Sequence, residues 1–398
     1  MMGGRGMHER KMLLVLTFTG FLALAVVMGI GRFAYTPILP YMEESHLTTF
    51  QAGLLASANY AGYLAGAFAA AKMNKSVLLL HVMILISIVT TAAMGFTYSQ
   101  SWWFGLRFVS GAAGGIAFVL VSSLVLSQVR RKSSSPYYAA FLYGGVGFGI
   151  FLSGMFLPPV LALFGGWEYA WIILGVVSAL FFILILLGFR PQYTNKDKQE
   201  GRIRRMTRHE KQQLQRLYIS YFCQGFGYII FATFIIAMVV STTDMGWSSP
   251  YVWAAAGLGA LPSALFWAWL GKITSLLTSL RAAYIVQLAG LLIPVFTSQE
   301  IWILVSAFCF GGTFMGITMM TLSFADQSFP RQSQRAIGNL TGLYGIGQLL
   351  GPIAAAALLI FAPFAVVFLL AAVFIGAGLY QLQRLASKQK EVKTRAVR

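Results

Sequence analysis

Charge is what this sequence has least of. Asp, Glu, Lys and Arg make up 10% of its 398 residues, against about 25% in an ordinary soluble domain. With 58% of the residues hydrophobic, there is too little polar surface to coat one or two water-soluble domains. Cysteine is nearly absent. Cys223 and Cys309 are the only two, each inside an apolar run, which excludes a disulfide scaffold and reads as small packing residues. There is no HExxH sequence and no Cys/His cluster, so no metal is expected. There is no Walker sequence either, so ATP is not the expected driving force. No cofactor is expected. Acids are the scarcest class, 11 against 29 Lys and Arg, for a net charge of +18. None of them falls in the middle of an apolar run, so no acid, nucleophile and base constellation is available to an intramembrane enzyme.

What is present is apolar, aromatic and rich in glycine: 15% Phe, Trp and Tyr, and 41 Gly. That combination fits a helical membrane protein. A helix crosses roughly 30 Å of hydrocarbon with about 20 apolar residues. Runs of that length occur at 12–37, 50–71, 77–97, 102–126, 137–164, 168–189, 217–241, 250–271, 281–297, 301–324, 336–360 and 364–384. The first is expected to stop at Pro37 and Pro40. The last two come from one uncharged stretch, 336–383, divided at Pro363. The first run is too long for the core of a cleavable signal peptide and is expected to remain as span 1.

The basic residues decide orientation. Of the 29 Lys and Arg, 27 fall in the tails and in alternate loops, while the opposite loops hold Glu43, Glu44, Glu168, Asp244 and Glu300. The positive-inside rule then places both termini in the cytoplasm of a multi-pass plasma-membrane protein, and explains the positive charge without nucleic acid. The two remaining cations, Arg32 and Arg107, lie within spans 1 and 4.

The spans repeat. At an offset of 196 to 200 residues, Gly29-Ile30-Gly31-Arg32 overlies Gly225-Phe226-Gly227-Tyr228. Trp102 and Gly111 overlie Trp302 and Gly311, Gly145 and Gly147 overlie Gly345 and Gly347, and Gly62 overlies Gly259. The chain therefore reads as two parallel six-helix bundles, 1–189 and 217–398. A basic cytoplasmic linker, 190–216, joins them. Within it Thr207 and Glu210 have the spacing of a capping box, which predicts a helix starting near 208 and running into span 7.

Twelve spans in two halves around a basic central loop resemble the major facilitator superfamily, an all-α membrane fold of two pseudo-symmetric six-helix bundles. Span 4, LRFVSGAAGGIAFVLVSS, is similar to that superfamily's motif of an Arg followed by spaced glycines, here Arg107, Gly111, Gly114 and Gly115. The resemblance implies a coupling or gating role for Arg107, Gly111 and Gly115. The loop after span 2, AAAKMNKS, departs from the superfamily's pattern and keeps only its basic character. GIGRFAYTPILPYM, ASANYAGYLAGA and QGFGYIIFATF resemble the YbfB/YjiJ-type branch, which implies a transporter without naming its substrate.

Arg32 lies about 20 residues into span 1, some 30 Å along it at 1.5 Å per residue. A charge there costs about 2.5–3.5 kcal/mol even on the insertion scale, and flanking Gly29 and Gly31 point to a packed interior. It is read as facing a central cavity, with Tyr35 and Thr36 three and four residues on and therefore on the same face. Tyr221, Gln224 and Tyr228 share a face of span 7, Asn59 and Tyr63 one of span 2 with Tyr60 beside it, and Tyr344 and Gln348 one of span 11. The substrate site is expected to hold Arg32, Tyr35, Asn59, Tyr60, Gln224, Tyr228 and Gln348. A coupling proton would use Asp326, an outer acid or the substrate's own charge. The expected protein is a monomeric secondary transporter of a small organic anion, working by alternating access in the bilayer of a bacterial inner membrane. Efflux of lipophilic drug-like compounds and ligand sensing without transport are the rival readings.

Overall fold

In hydrocarbon every backbone N–H and C=O needs an internal partner, and a helix supplies one for each. The apolar runs accordingly fold as helices in a computed structural model that describes residues 2–44, 46–70, 73, 76–132, 135, 137–189, 206–243, 245, 249–329 and 333–397. Among the described residues there is no strand. The helices are α1 (Met2–Leu24), α2 (Tyr35–Glu43), α3 (Thr49–Ala70), α4 (Val77–Ala93), α5 (Gln100–Lys132), α6 (Tyr137–Phe164) and α7 (Glu168–Gly188). They continue with α8 (Arg208–Thr242), α9 (Pro250–Ile273), α10 (Leu276–Phe296), α11 (Glu300–Ser328), α12 (Ser333–Leu359) and α13 (Phe364–Val397). Helices α1 and α2 form one crossing. Among the described residues eleven crossings are long and apolar enough to traverse a bilayer, and α3, with 22 residues, is a twelfth long helix of more polar sequence.

The first crossing departs from its sequence reading. Pro37 and Pro40 do not end it, and α2 carries both and continues to Glu43. Pro37 is the third residue of α2, where a helix has no use for the missing N–H. The irregularity lies earlier. Residues Ala25–Ile30 form a π-helical stretch, with Gly31 N bonded to Val26 O at 2.8 Å and Phe33 N to Met28 O at 3.2 Å. Residues 31–34 form a turn before α2 begins. Thr36 N bonds Phe33 O rather than Arg32 O, which leaves the Arg32 carbonyl to find a partner elsewhere.

The helix expected to start near 208 is α8. Residues 190–205 lie outside the described residues, and 208–216 belong to α8. Thr207 caps that helix as its sequence predicts: Glu210 N donates to Thr207 Oγ1 at 3.2 Å, and Thr207 N donates to a Glu210 carboxylate oxygen at 2.7 Å.

Packing follows one plan twice. Helix α5 packs on α3 and α4, α7 on α4, and α1 on α6 and α7. In the later part α11 packs on α9 and α10, α13 on α10, and α8 on α12 and α13. The α3–α5 crossing brings Gly62 against the Phe108 carbonyl and Gly111 against that of Asn59, while the α9–α11 crossing brings Gly259 against the Phe308 carbonyl and Gly311 against that of Ala256. Backbones approach this closely only where no side chain intervenes. Between the two groups α6 packs on α9, α3 on α12 and α2 on α8. At the end of the molecule away from the termini, Thr36 Oγ1 donates to Ala232 O at 2.6 Å. There Tyr41 and Ser249 also bring their hydroxyls to 3.5 Å, and Ser57 Oγ donates to Leu349 O at 3.0 Å.

Candidate functional site

The turn between the π-helical stretch and α2 places Arg32 in the middle of the molecule, 4% exposed. Its guanidinium carbon lies 4.3 Å from the Tyr63 ring centre, 4.5 Å from that of Tyr60 and 5.3 Å from that of Phe33. Such ring contacts hold a desolvated cation by about 2 kcal/mol or more each, and they act through the face of the guanidinium. The Tyr63 hydroxyl is also a hydrogen-bond partner of the guanidinium, which leaves one edge over. Arg32 Nε and Nη2 are buried and have no hydrogen-bond partner. Those two nitrogens direct N–H groups side by side along one edge of the fork, the geometry that receives a carboxylate through two parallel bonds.

Arg107, on α5, supports this arrangement from behind. It is 1% exposed, and its Nη1 and Nη2 donate to the carbonyls of Gly31 at 3.1 Å and Arg32 at 3.2 Å. Ser110 Oγ adds a bond to Gly31 O at 3.3 Å. The carbonyls released by the break in the first crossing are thus taken up by an arginine from another helix. The Tyr35 ring lies 4.9 Å from the Arg107 guanidinium, and its hydroxyl donates to Ala52 O at 2.9 Å.

Facing Arg32 are side chains from α8, α9, α11 and α12. Tyr228 stacks nearly parallel on Phe314 at 5.8 Å and 8°, on Tyr344 at 5.5 Å and 9°, and on Phe310 at 6.2 Å and 12°. Tyr344 continues onto Tyr221 at 4.4 Å. Phe33, next to Arg32 in sequence, contacts Phe314 at 6.0 Å and Trp253 at 6.3 Å, joining the arginine to the aromatic set. Gln348 Nε2 donates to the Tyr228 hydroxyl, while Gln348 Oε1, both polar atoms of the Gln224 amide and Trp253 Nε1 are buried without partners.

Of the residues expected at the site, Arg32 and Tyr60 meet directly, and Tyr228 and Gln348 are bonded to each other. Gln224 is fully buried on the same helix as Tyr228. Tyr35 does not share a face with Arg32, because the three-and-four spacing presumes an unbroken helix. It pairs with Arg107 instead, and Thr36 reaches α8. Asn59 turns toward α5 and donates to Arg107 O at 2.9 Å. Gly111 and Gly115 lie against the carbonyls of Asn59 and Tyr63, at the seam between α3 and α5. Asp326 is exposed near the end of α11, away from this centre. Phe33 and Trp253 join Phe310 and Phe314 in the aromatic set around Tyr228 and were not anticipated. Their only sequence signal is the four-residue spacing of Phe310 and Phe314, which lipid-facing rings share.

The chain matches, over residues 24–381, the family described as "Uncharacterised MFS-type transporter YbfB". A search of curated proteins finds no match. Among solved structures it is similar to a crystal structure of a mutant of the nucleoside transporter NupG, with 10% identity, 94% of this chain and 99% of that one covered, and a TM-score of 0.72. A second NupG crystal structure gives 11% identity, coverages of 94% and 98%, and a TM-score of 0.69. At such identities the likeness is one of fold.

Proposed function

The chain belongs to the YbfB-type family of major facilitator superfamily transporters, a multi-pass membrane protein that moves a small molecule, and from that premise we propose that its substrate is a small organic oxyanion held by Arg32. The carrying observation is the unpartnered edge of the Arg32 guanidinium. Its face is covered by aromatic rings and its backbone is held by Arg107, while Nε and Nη2 are left without acceptors inside the protein. A buried cation with two unused parallel donors is costly to keep and matches a carboxylate. The chain brings no mid-span acid that would serve as its permanent partner.

The carrier works by alternating access between two six-helix halves, 1–189 and 217–398. The matched glycine crossings of α3–α5 and α9–α11 support that division. Arg32 and its repeat counterpart Tyr228 lie on opposite sides of the centre, so a substrate bound to the arginine also touches the other half. The contacts of α2 with α8 join the two halves at the end away from the termini. The basic loops support a location in the bacterial inner membrane with both termini and the linker cytoplasmic. A monomer suffices for this mechanism, and a coupling proton would enter through an outer acid or through the substrate's own charge.

The test is a thermal-shift panel of carboxylates, phosphates, ammonium compounds and neutral nucleosides on the purified protein. A bound ligand raises stability by RT ln(1 + [L]/Kd). Oxyanions are expected to stabilise the wild type and to lose that effect in Arg32→Ala. Stabilisation by an ammonium compound alone would overturn the reading and favour lipophilic efflux.

A further inference from the structure

Resting on the oxyanion reading of Arg32, we infer that the substrate is a flat aromatic carboxylate whose ring lies along the wall of Tyr228, Phe310, Phe314 and Tyr344. The wall has a property that ordinary aromatic packing lacks. Rings in protein interiors meet at many angles, edge-to-face as often as offset-parallel. Here the rings of Phe310, Phe314 and Tyr344 all lie within 12° of the plane of Tyr228, although the four rings come from three helices. Phe310 and Phe314 are themselves 11° apart. A set of rings sharing one orientation presents one direction of stacking, and a flat guest extends it without reorienting any side chain.

The set is also placed correctly for the charge. Phe33 touches both the Arg32 guanidinium and Phe314, so one ring separates the anion's anchor from the wall. A carboxylate held at Arg32 is one ring, Phe33, away from the Tyr228–Phe314 stack. At the wall, Gln348 Oε1 is a buried acceptor without a partner, which a ring hydroxyl or amino group would satisfy. An aliphatic carboxylate satisfies Arg32 equally well and leaves the stacking direction unused.

Benzoate and cyclohexanecarboxylate separate the two claims. They carry the same charge on the same number of carbons, and one ring is flat. Their binding to the purified full-length protein is measured by titration calorimetry for the wild type, Arg32→Ala, Phe314→Leu and Phe310→Leu, with melting curves to verify that each variant is folded. Parallel stacking gives benzoate an expected advantage of about three- to tenfold in Kd. Either leucine variant is expected to erase that preference while leaving cyclohexanecarboxylate affinity within about twofold. Equal binding of the two acids, dependent on Arg32 in both cases, overturns the aromatic inference and leaves the oxyanion reading standing. Binding of neither acid, or binding indifferent to Arg32→Ala, overturns both.

Discussion

At the scale of single residues, two arginines divide one task. Arg32 offers donors, and Arg107 fixes the backbone from which they are offered. Removing Arg107 takes its donor from the Arg32 carbonyl and leaves the Gly31 carbonyl with Ser110 alone, each bond to a charged donor being worth about 1.5–3 kcal/mol. Arg107→Ala is expected to lower the melting temperature and to reduce carboxylate uptake in proteoliposomes more than it reduces carboxylate affinity, because Arg107 holds the backbone that carries Arg32 and is not itself the proposed anchor of the carboxylate. Arg107→Lys keeps the charge but has a single ammonium in place of the fork, and should recover part of the stability. Unchanged uptake in both variants would refute the positioning role. Both arginines were legible in the sequence, since a cation within a span is conspicuous. Their partners were not. Nothing in the letters distinguishes Tyr60, over Arg32, from Tyr35, under Arg107, because that difference is created by a turn at residues 31–34 which helical periodicity does not foresee.

At the scale of elements, the first crossing and the glycine seams carry the design. The break in the first crossing follows from its neighbours. Arg107 and Ser110 of α5 take up the Gly31 and Arg32 carbonyls at the turn between the π-helical stretch and α2. The seams are more regular. A methyl group at Gly111 would run into the Asn59 carbonyl, and one at Gly311 into that of Ala256, whereas Gly105 and Gly376 have open space around them. Gly111→Ala and Gly311→Ala are each expected to cost roughly 1–3 kcal/mol by overpacking, read as lower melting temperatures. Gly105→Ala and Gly376→Ala should leave the melting temperature unchanged or raise it, since Ala favours the helix. Equal effects at all four sites would remove the seam argument. The repeat was visible in the sequence through these same glycines, because close approach admits one residue type and so leaves a mark at a fixed offset. The aromatic wall left no such mark: Phe310 and Phe314 read like any apolar pair until the fold sets them beside Tyr228.

For the whole molecule, charge placement sets orientation and the central arginine sets selectivity. A cysteine introduced at Ser45 or Ser298 is expected to react with an impermeant thiol reagent added to intact cells, and one at Ser134 or Gln199 only after permeabilisation. The opposite pattern would invert the topology. The number of crossings was readable from the apolar runs, with α3 the least apolar of them, whereas the joining of α2 to α8 at the end away from the termini required coordinates. Whether Arg32 anchors the anion is decided by one comparison. It is the equilibrium affinity and proteoliposome uptake, in wild type, Arg32→Lys and Arg32→Ala, of the carboxylate that most stabilises the purified protein. Loss of two parallel charge-assisted bonds predicts affinity roughly tenfold or more weaker in Arg32→Lys, and neither binding nor uptake in Arg32→Ala, with all three proteins folded. Wild-type affinity and uptake in Arg32→Ala would contradict it.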